Sequence, residues 1–305
     1  MPEIRFIKLG FGGEWEEDCI ANNTLRLGYH STSHKDCLSG NWSAVRAHWL
    51  AERNGNAAAA TRDVNQIRDF YELKEDAIWV TFHLRKMYWC NAEELVTELP
   101  DGSRSRNVIG SWQCADLKGN PLLIDNIDGR ITKVQGYRGT ICGVEMPDYL
   151  LRKINGDVQP EITAARNALN DLKVTITELI SGLWWGDFEL LVELIFSRAG
   201  WQRVSVLGKQ EKDIDLDLYS PVSGKRVFVQ VKSNTDLVEI NRYYKLFKSY
   251  RSSKVYQEMF YTYHTGPDKN TCGISDPDVS LFDLEKITDL VIQMGLIDWV
   301  ISKRS

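Results

Sequence analysis

The 305-residue sequence contains no low-complexity tract, no internal repeat and no apolar run near the ~18 residues that a helical membrane span requires. Its first residues, Met1-Pro2-Glu3-Ile4-Arg5, place an acid where a secretory leader carries only positive charge, and no long apolar stretch follows. We therefore expect a cytoplasmic protein with no membrane association. A disulfide framework is also missing: the six cysteines are dispersed, as suits reduced thiols. There is no excess of positive charge. The net charge of -5 means that any polyanionic partner must meet a local basic surface, with a metal beside the acids before phosphate can approach. Gly10-Phe11-Gly12-Gly13 is not followed by the Lys-Ser/Thr of a phosphate-binding loop, so it reads as a turn, and no nucleotide cofactor is implied. Ser-His-Asp and Cys-His sets with a recognisable local motif are absent too. A zinc set of Cys19, His30, His34 and Cys37 has His-x3-His-x2-Cys spacing, but it lacks a Cys-x2-Cys partner and Cys19 is remote.

The chain divides into two parts by pattern. Residues 1–154 read as a β-rich domain of α+β class. Helical spacing covers residues 43–53 and 61–73, the second opening on Thr61 as N-cap. Strand-like runs follow at 77–84, 86–90, 108–115, 121–124 and 133–144, separated by turns such as Asp101-Gly102 and Asp128-Gly129, and their spacing predicts a small barrel or strongly curved sheet. Residues 155–183 form a connecting helix, over about 161–180, and a linker. Residues 184–305 read as an α/β domain in the order αβββαββ.

Two runs in that second part carry chemistry. In Lys212-Asp213-Ile214-Asp215-Leu216 the aspartates alternate with apolar residues, and in Val227-Phe228-Val229-Gln230-Val231-Lys232-Ser233 the valines define one face and Phe228, Gln230 and Lys232 the other. Ser220-Pro221-Val222-Ser223-Gly224-Lys225 between them is rich in turn residues, so the two strands read as a hairpin. Strands so paired lie about 5 Å apart, close enough for an acid, an amide and a lysine to share one cation and one water.

This order and these residues resemble the Mrr-type restriction endonuclease domain of the PD-(D/E)xK nuclease superfamily, over about residues 184–285. The likeness is carried by Phe188-Glu189, Gly200-Trp201, Ile214-Asp215-Leu216 and Val229-Gln230-Val231-Lys232. It implies that Asp215, Gln230 and the helix-borne Glu189 bind Mg²⁺ (Mn²⁺ can substitute), and that Lys232 serves the attacking water. Asp213 shares the face of Asp215 and competes with it as the metal ligand. The other reading is a solvated Asp/Lys hairpin, or a nuclease fold that has lost turnover.

Arg242, Lys245, Lys248, Arg251 and Lys254 recur every three residues, interleaved with Tyr243, Tyr244, Phe247 and Tyr250. Cations along one side of a helix can track a phosphate backbone. Lysine stems lying over an aromatic core face fit the same pattern. In the first part, Trp42, Trp79, Trp89 and Trp112 are candidate walls of a modified-base pocket. Trp79 shares its strand face with Thr81 and His83, away from Ile78, Val80 and Phe82. Core filling is the competing role. The pattern of this part, in Leu73 to Trp79, Tyr88-Trp89-Cys90 and Gly136-Tyr137-Arg138-Gly139, loosely resembles PUA/EVE-like barrels.

Together these readings lead us to expect a Mg²⁺-dependent DNA endonuclease of restriction type that recognises modified DNA in defence against phage. Cutting both strands calls for a homodimer, at least on DNA. The alternatives are a repair or junction-resolving nuclease and a catalytically inactive nucleic-acid sensor.

Overall fold

A computed structural model describes residues 2–204 and 214–305. The chain forms two compact units, residues 1–159 and 160–305. Among the described residues no helix is long and apolar enough to cross a membrane.

The first unit contains strands β1 (Ile4–Ile7), β2 (Thr24–Leu27), β3 (Ile78–His83), β4 (Lys86–Cys90), β5 (Thr97–Glu98), β6 (Arg104–Asn107) and β7 (Ile141–Gly143). Its helices are α1 (Glu16–Ala21), α2 (His34–Leu38), α3 (Trp42–Glu52), α4 (Ala57–Glu72), α5 (Gly129–Thr132) and α6 (Pro147–Asn155). The strands expected to curl into one barrel are divided between two sheets, ordered β4-β3-β1-β7 and β2-β6-β5. Residues 108–115 and 121–124 contribute only isolated bridges, such as Trp89 with Gln113 and Ala115 with Pro121. The run 133–144 is a helical turn before it is a strand, because Asp128 accepts a hydrogen bond from Arg130 N (2.9 Å) and caps α5. Helix α4 likewise opens earlier than expected: Asn56 accepts from Ala59 N (3.1 Å), whereas the Thr61 hydroxyl bonds back to Ala57 O (2.8 Å).

Strand β3 is apolar on both faces because both are covered. Trp79 packs with Ile7, Phe70 and Cys90 on one side, while Ile78, Val80 and Phe82 pack with Ile4, Met87, Ile131 and Leu150 on the other. Arg104 and Arg106 are also buried. Arg106 donates to Phe70 O (3.0 Å) and Leu73 O (3.0 Å), which satisfies carbonyls at the C-terminus of α4.

The second unit runs α7 (Pro160–Ser181), α8 (Trp185–Arg198), β8 (Gln202–Arg203), β9 (Leu216–Tyr219), β10 (Arg226–Asn234), α9 (Leu237–Ser252), β11 (Glu258–Thr265), β12 (Val279–Phe282), α10 (Leu284–Gln293) and α11 (Ile297–Arg304). From α8 to β12 this is the order αβββαββ. One five-stranded sheet is ordered β12-β11-β10-β9-β8, with β10 antiparallel to β9 and parallel to β11. Of the expected strand at 203–207 only Arg203 and Val204 lie within the described residues, β8 ending at Arg203, and Asp213 lies outside them. Val227 and Val229 face a core shared with Phe188, Leu191, Ile287 and Val300, so α8, α10 and α11 cover that side. Phe228 packs with Ile240, Phe247 and Tyr261 beneath α9. The face of β10 read as an open polar cleft is thus closed at Phe228 and opens only toward Lys232.

Candidate active site

Register places the site. Strand β9 pairs with β10 as far as Leu216 opposite Val229. Asp215, one residue beyond the end of β9, therefore meets Gln230 and Val231. Its Oδ2 accepts from Val231 N (2.7 Å) and from Gln230 Nε2. Gln230 is 1 % exposed, and its Oε1 is buried without a hydrogen-bond partner among the described residues. An unpaired buried carbonyl is costly and marks a place where another group belongs.

Lys232, one alternation along the strand, reaches toward α9. Its Nζ lies 3.5 Å from Glu239 Oε1 and 5.6 Å from the centre of the Tyr243 ring. Glu239 sits in the first turn of α9, which Asp236 caps by accepting from Glu239 N (2.8 Å). Its other oxygen, Oε2, accepts from Thr235 Oγ1 (3.3 Å), and that hydroxyl is 2.6 Å from the buried Tyr261 Oη. A chain of contacts thus runs Tyr261–Thr235–Glu239–Lys232. Sequence reading had not singled out Glu239. An Asp-x-x-Glu helix start is a signal for it, but helix capping accounts for the same pattern.

The charges are tuned by this enclosure. Burial raises the Asp215 pKa above the usual carboxylate range, against the opposing pull of Val231 N–H and Lys232. Glu189, half-buried on α8, is raised by burial and then by the charge of Asp215. Burial works against the Lys232 ammonium, but Tyr243, Glu239 and Asp215 outweigh it and hold its pKa above the usual value. The Asp215 carboxylate bonded to Gln230, with Glu189 on α8 near enough to feel its charge, offers oxygen donors of the kind a hard cation prefers. Nearby, His264 stacks edge-on against Phe188 at 4.8 Å, with Nε2 buried and without a partner among the described residues. Burial lowers its pKa and favours the neutral ring.

The other candidates separate. The stripe on α9 does not line one side, because each three-residue step falls about 60° short of a turn. Arg251 is committed to Asp276 (2.9 Å) and Asp278 (3.0 Å), Lys248 lies over the Tyr244 ring at 4.2 Å, and Arg242 over Tyr243 at 5.4 Å. Lys245 is exposed, beside the exposed Leu237 and Val238. Tyr243 and Phe247 are core residues. The cations therefore divide between structure and surface.

The four tryptophans do not assemble into a cage. Trp79 is fully buried beside Phe70, and Trp112 is buried with its Nε1 donating to Thr24 O (3.1 Å). Trp89 lies on the opposite face of the sheet from Trp79, donating to Ala115 O (2.9 Å), while Trp42 donates to Glu72 Oε1 (2.6 Å) on α4. Trp79 does not turn away from the core as alternation suggested, since both faces of β3 are core. Nor does the zinc set converge: among the described residues no three His, Cys, Asp or Glu side chains gather to hold a metal. His34 Nδ1 is 2.7 Å from Tyr71 Oη, His30 Nδ1 is 2.9 Å from Asp101 O, and burial pushes the Cys37 thiol up to about 11.

Residues 180–291 match the family model of the restriction endonuclease catalytic domain of Mrr type. No curated protein sequence matches the chain significantly. Among solved structures, the DNA modification-dependent restriction endonuclease AspBHI is similar over 74 % of this chain and 68 % of its own, with 11 % identity and a TM-score of 0.30. On the family match, residues 180–291 are a restriction endonuclease domain of the Mrr type, a DNA endonuclease module.

Proposed function

We propose that the second unit hydrolyses phosphodiester bonds of DNA at Asp215, Gln230, Lys232 and Glu189 with a divalent cation, Mg²⁺ or Mn²⁺, and that the first unit selects the target through a modified base. The observation that carries the site is the buried Gln230 Oε1, without a partner among the described residues, beside the Asp215 carboxylate. Asp215, Glu189 and that oxygen would hold the cation, which supplies an acidified water and charge relief at the phosphate. Asp215 is pinned by Val231 N–H, so its carboxylate is oriented before substrate arrives. Lys232, kept cationic by Glu239, donates a proton-bearing N–H to the oxygens that gain charge as water adds to phosphorus and the bond to the leaving oxygen breaks. Gln230 in place of an acid leaves the site with one less negative charge and favours approach of the phosphate. Lys245, with Arg242 and Lys248, supplies cations on the surface of α9 for the backbone.

Severing both strands requires two such sites, so the protein acts as a homodimer on DNA. Its role is defence of a cytoplasm against phage DNA bearing modified bases.

Cleavage of phage DNAs carrying different cytosine and adenine modifications tests the whole reading. Lys232→Ala and Asp215→Asn are expected to abolish metal-dependent cutting and leave DNA affinity nearly unchanged. A native protein that binds DNA and never cuts it with Mg²⁺ or Mn²⁺ overturns the enzyme reading in favour of a sensor, and preference for branched over linear duplex overturns the restriction role.

A further inference from the structure

A cavity of about 300 Å³ in the first unit is lined by Phe6, Lys8, Glu16, Phe82, His83 and Gln135, with Gly12, Gly13, Leu84 and Arg85 at its margin. Its size lies at the lower end of ligand sites, which suits a single ring. The Phe6 and Phe82 rings, 6.2 Å apart, supply apolar walls. Polar groups border them. Glu16 Oε2 is 3.1 Å from His83 Nδ1, and Lys8 Nζ donates to Tyr137 O (2.6 Å), which occupies one of its three donors. Gly13 makes room for this arrangement: at φ +86° it sits so close to Glu16 that a Cβ would lie 2.5 Å from Oε1.

The margin is unusual. The hairpin between β3 and β4 turns on Leu84 and Arg85 at φ 44° and 60°, where such turns ordinarily use Asn and Gly. Left-handed backbone is strained for residues with a Cβ, and strain of this kind gathers at functional positions. Leu84 at this tip is 78 % exposed, and Phe11, next to Gly12, is 93 % exposed. Exposed apolar side chains beside a cavity have the form of wedges that enter a base stack.

We propose that this cavity receives one base of the cytosine type turned out of duplex DNA, while Leu84 fills the gap it leaves. The assignment rests on the reading that the first unit contacts DNA, and it replaces the tryptophan cage as the place where a base is read. The Glu16 carboxylate accepts from the exocyclic amine, a pairing suited to cytosine N4. Lys8 and Gln135 offer donors to the acceptor edge of the ring. Thymine would turn a carbonyl toward Glu16 and be rejected.

The test uses the full chain without divalent metal, so that binding is read apart from cutting. Duplexes carry cytosine, 5-methylcytosine or thymine at one position with randomised flanks, and 2-aminopurine beside it reports unstacking by fluorescence. The native protein is expected to raise the signal at least threefold for 5-methylcytosine, less for cytosine and not for thymine. Leu84→Gly, which relieves the turn and so preserves folding, removes most of the rise. Glu16→Gln reduces the cytosine preference in binding about tenfold. A native protein that binds and, with Mg²⁺, cuts these duplexes without any fluorescence rise, or with a rise untouched by Leu84→Gly and Glu16→Gln, overturns the pocket and leaves the nuclease reading standing. Absence of binding to every duplex overturns both.

Discussion

Replacing Glu239 by alanine would separate the positioning of Lys232 from its charge. The Nζ–Oε1 distance of 3.5 Å corresponds to an attraction of roughly 1 kcal/mol at a water-like dielectric and about 5 kcal/mol at the lower values near a protein surface. Both side chains are about 30 % exposed, so screening and side-chain entropy bring the effective value to the lower end, ~1 to 1.5 kcal/mol. If that energy holds the ammonium where charge develops, Glu239→Ala slows single-turnover cleavage about tenfold. DNA affinity stays level or rises slightly, because an acid has left the neighbourhood of the phosphate. Glu239→Gln keeps an acceptor for Thr235 and isolates the charge. The decisive measurement is a double-mutant cycle read in the stability of the metal-free protein: Glu239→Ala should cost nothing further in a Lys232→Ala background, since the residue acts through the lysine. Full rate in the single variant, or losses that simply add, would refute the argument.

Asp215→Asn and Glu189→Gln should remove activity yet raise the melting temperature of the metal-free protein at pH 7.5. Both carboxyls have folded pKa values raised chiefly by burial, so the fold holds their protons more tightly than the unfolded chain does. Their stabilising contribution is complete below the ordinary carboxylate range and is lost as pH rises through the folded values, so variants and wild type should converge near pH 4. Unequal melting there, or none of the expected gain at pH 7.5, argues against the electrostatic account. Mg²⁺ should raise the melting temperature of the native protein and not of Asp215→Asn. Lys245→Glu with Lys248→Glu should weaken DNA binding and flatten its dependence on salt, whereas Arg251→Ala, which breaks pairs with Asp276 and Asp278, should lower stability slightly and leave that slope unchanged. Trp79→Ala should cost about 3 to 5 kcal/mol in denaturant titration, as a fully buried ring does; a loss under 1 kcal/mol would show that the ring is not a core element.

What was legible differs between the two units for a physical reason. In the second unit the signals are local. Strand alternation and the turn residues at 220–225 act within a few residues, so the order of elements and the meeting of Asp215 with Gln230 are legible in the sequence. In the first unit, short strands are completed by partners far along the chain, as when Ile4–Phe6 pair with Ile78–Val80. Alternation there misled, since Trp79 and Val80 are both buried although they point opposite ways. The caps at Asn56 and Asp128 are as local as the turn at 220–225, but each stands before a run whose own pattern suggests a later helix start or a strand.

By itself the sequence determined which groups the second unit offers to chemistry, because the residue types and their two-residue period are properties of the strand. Only tertiary structure decided what those groups feel. The contact of Lys232 with a helix seven residues on, the orphaned carbonyl of Gln230 and the burial that raises Asp215 all arise from packing α8 and α9 against opposite faces of one sheet. The same holds for the cavity between Phe6, Glu16 and His83, whose walls come from segments far apart in the chain. Hydrophobic burial brings such segments together, and that burial depends on every element at once.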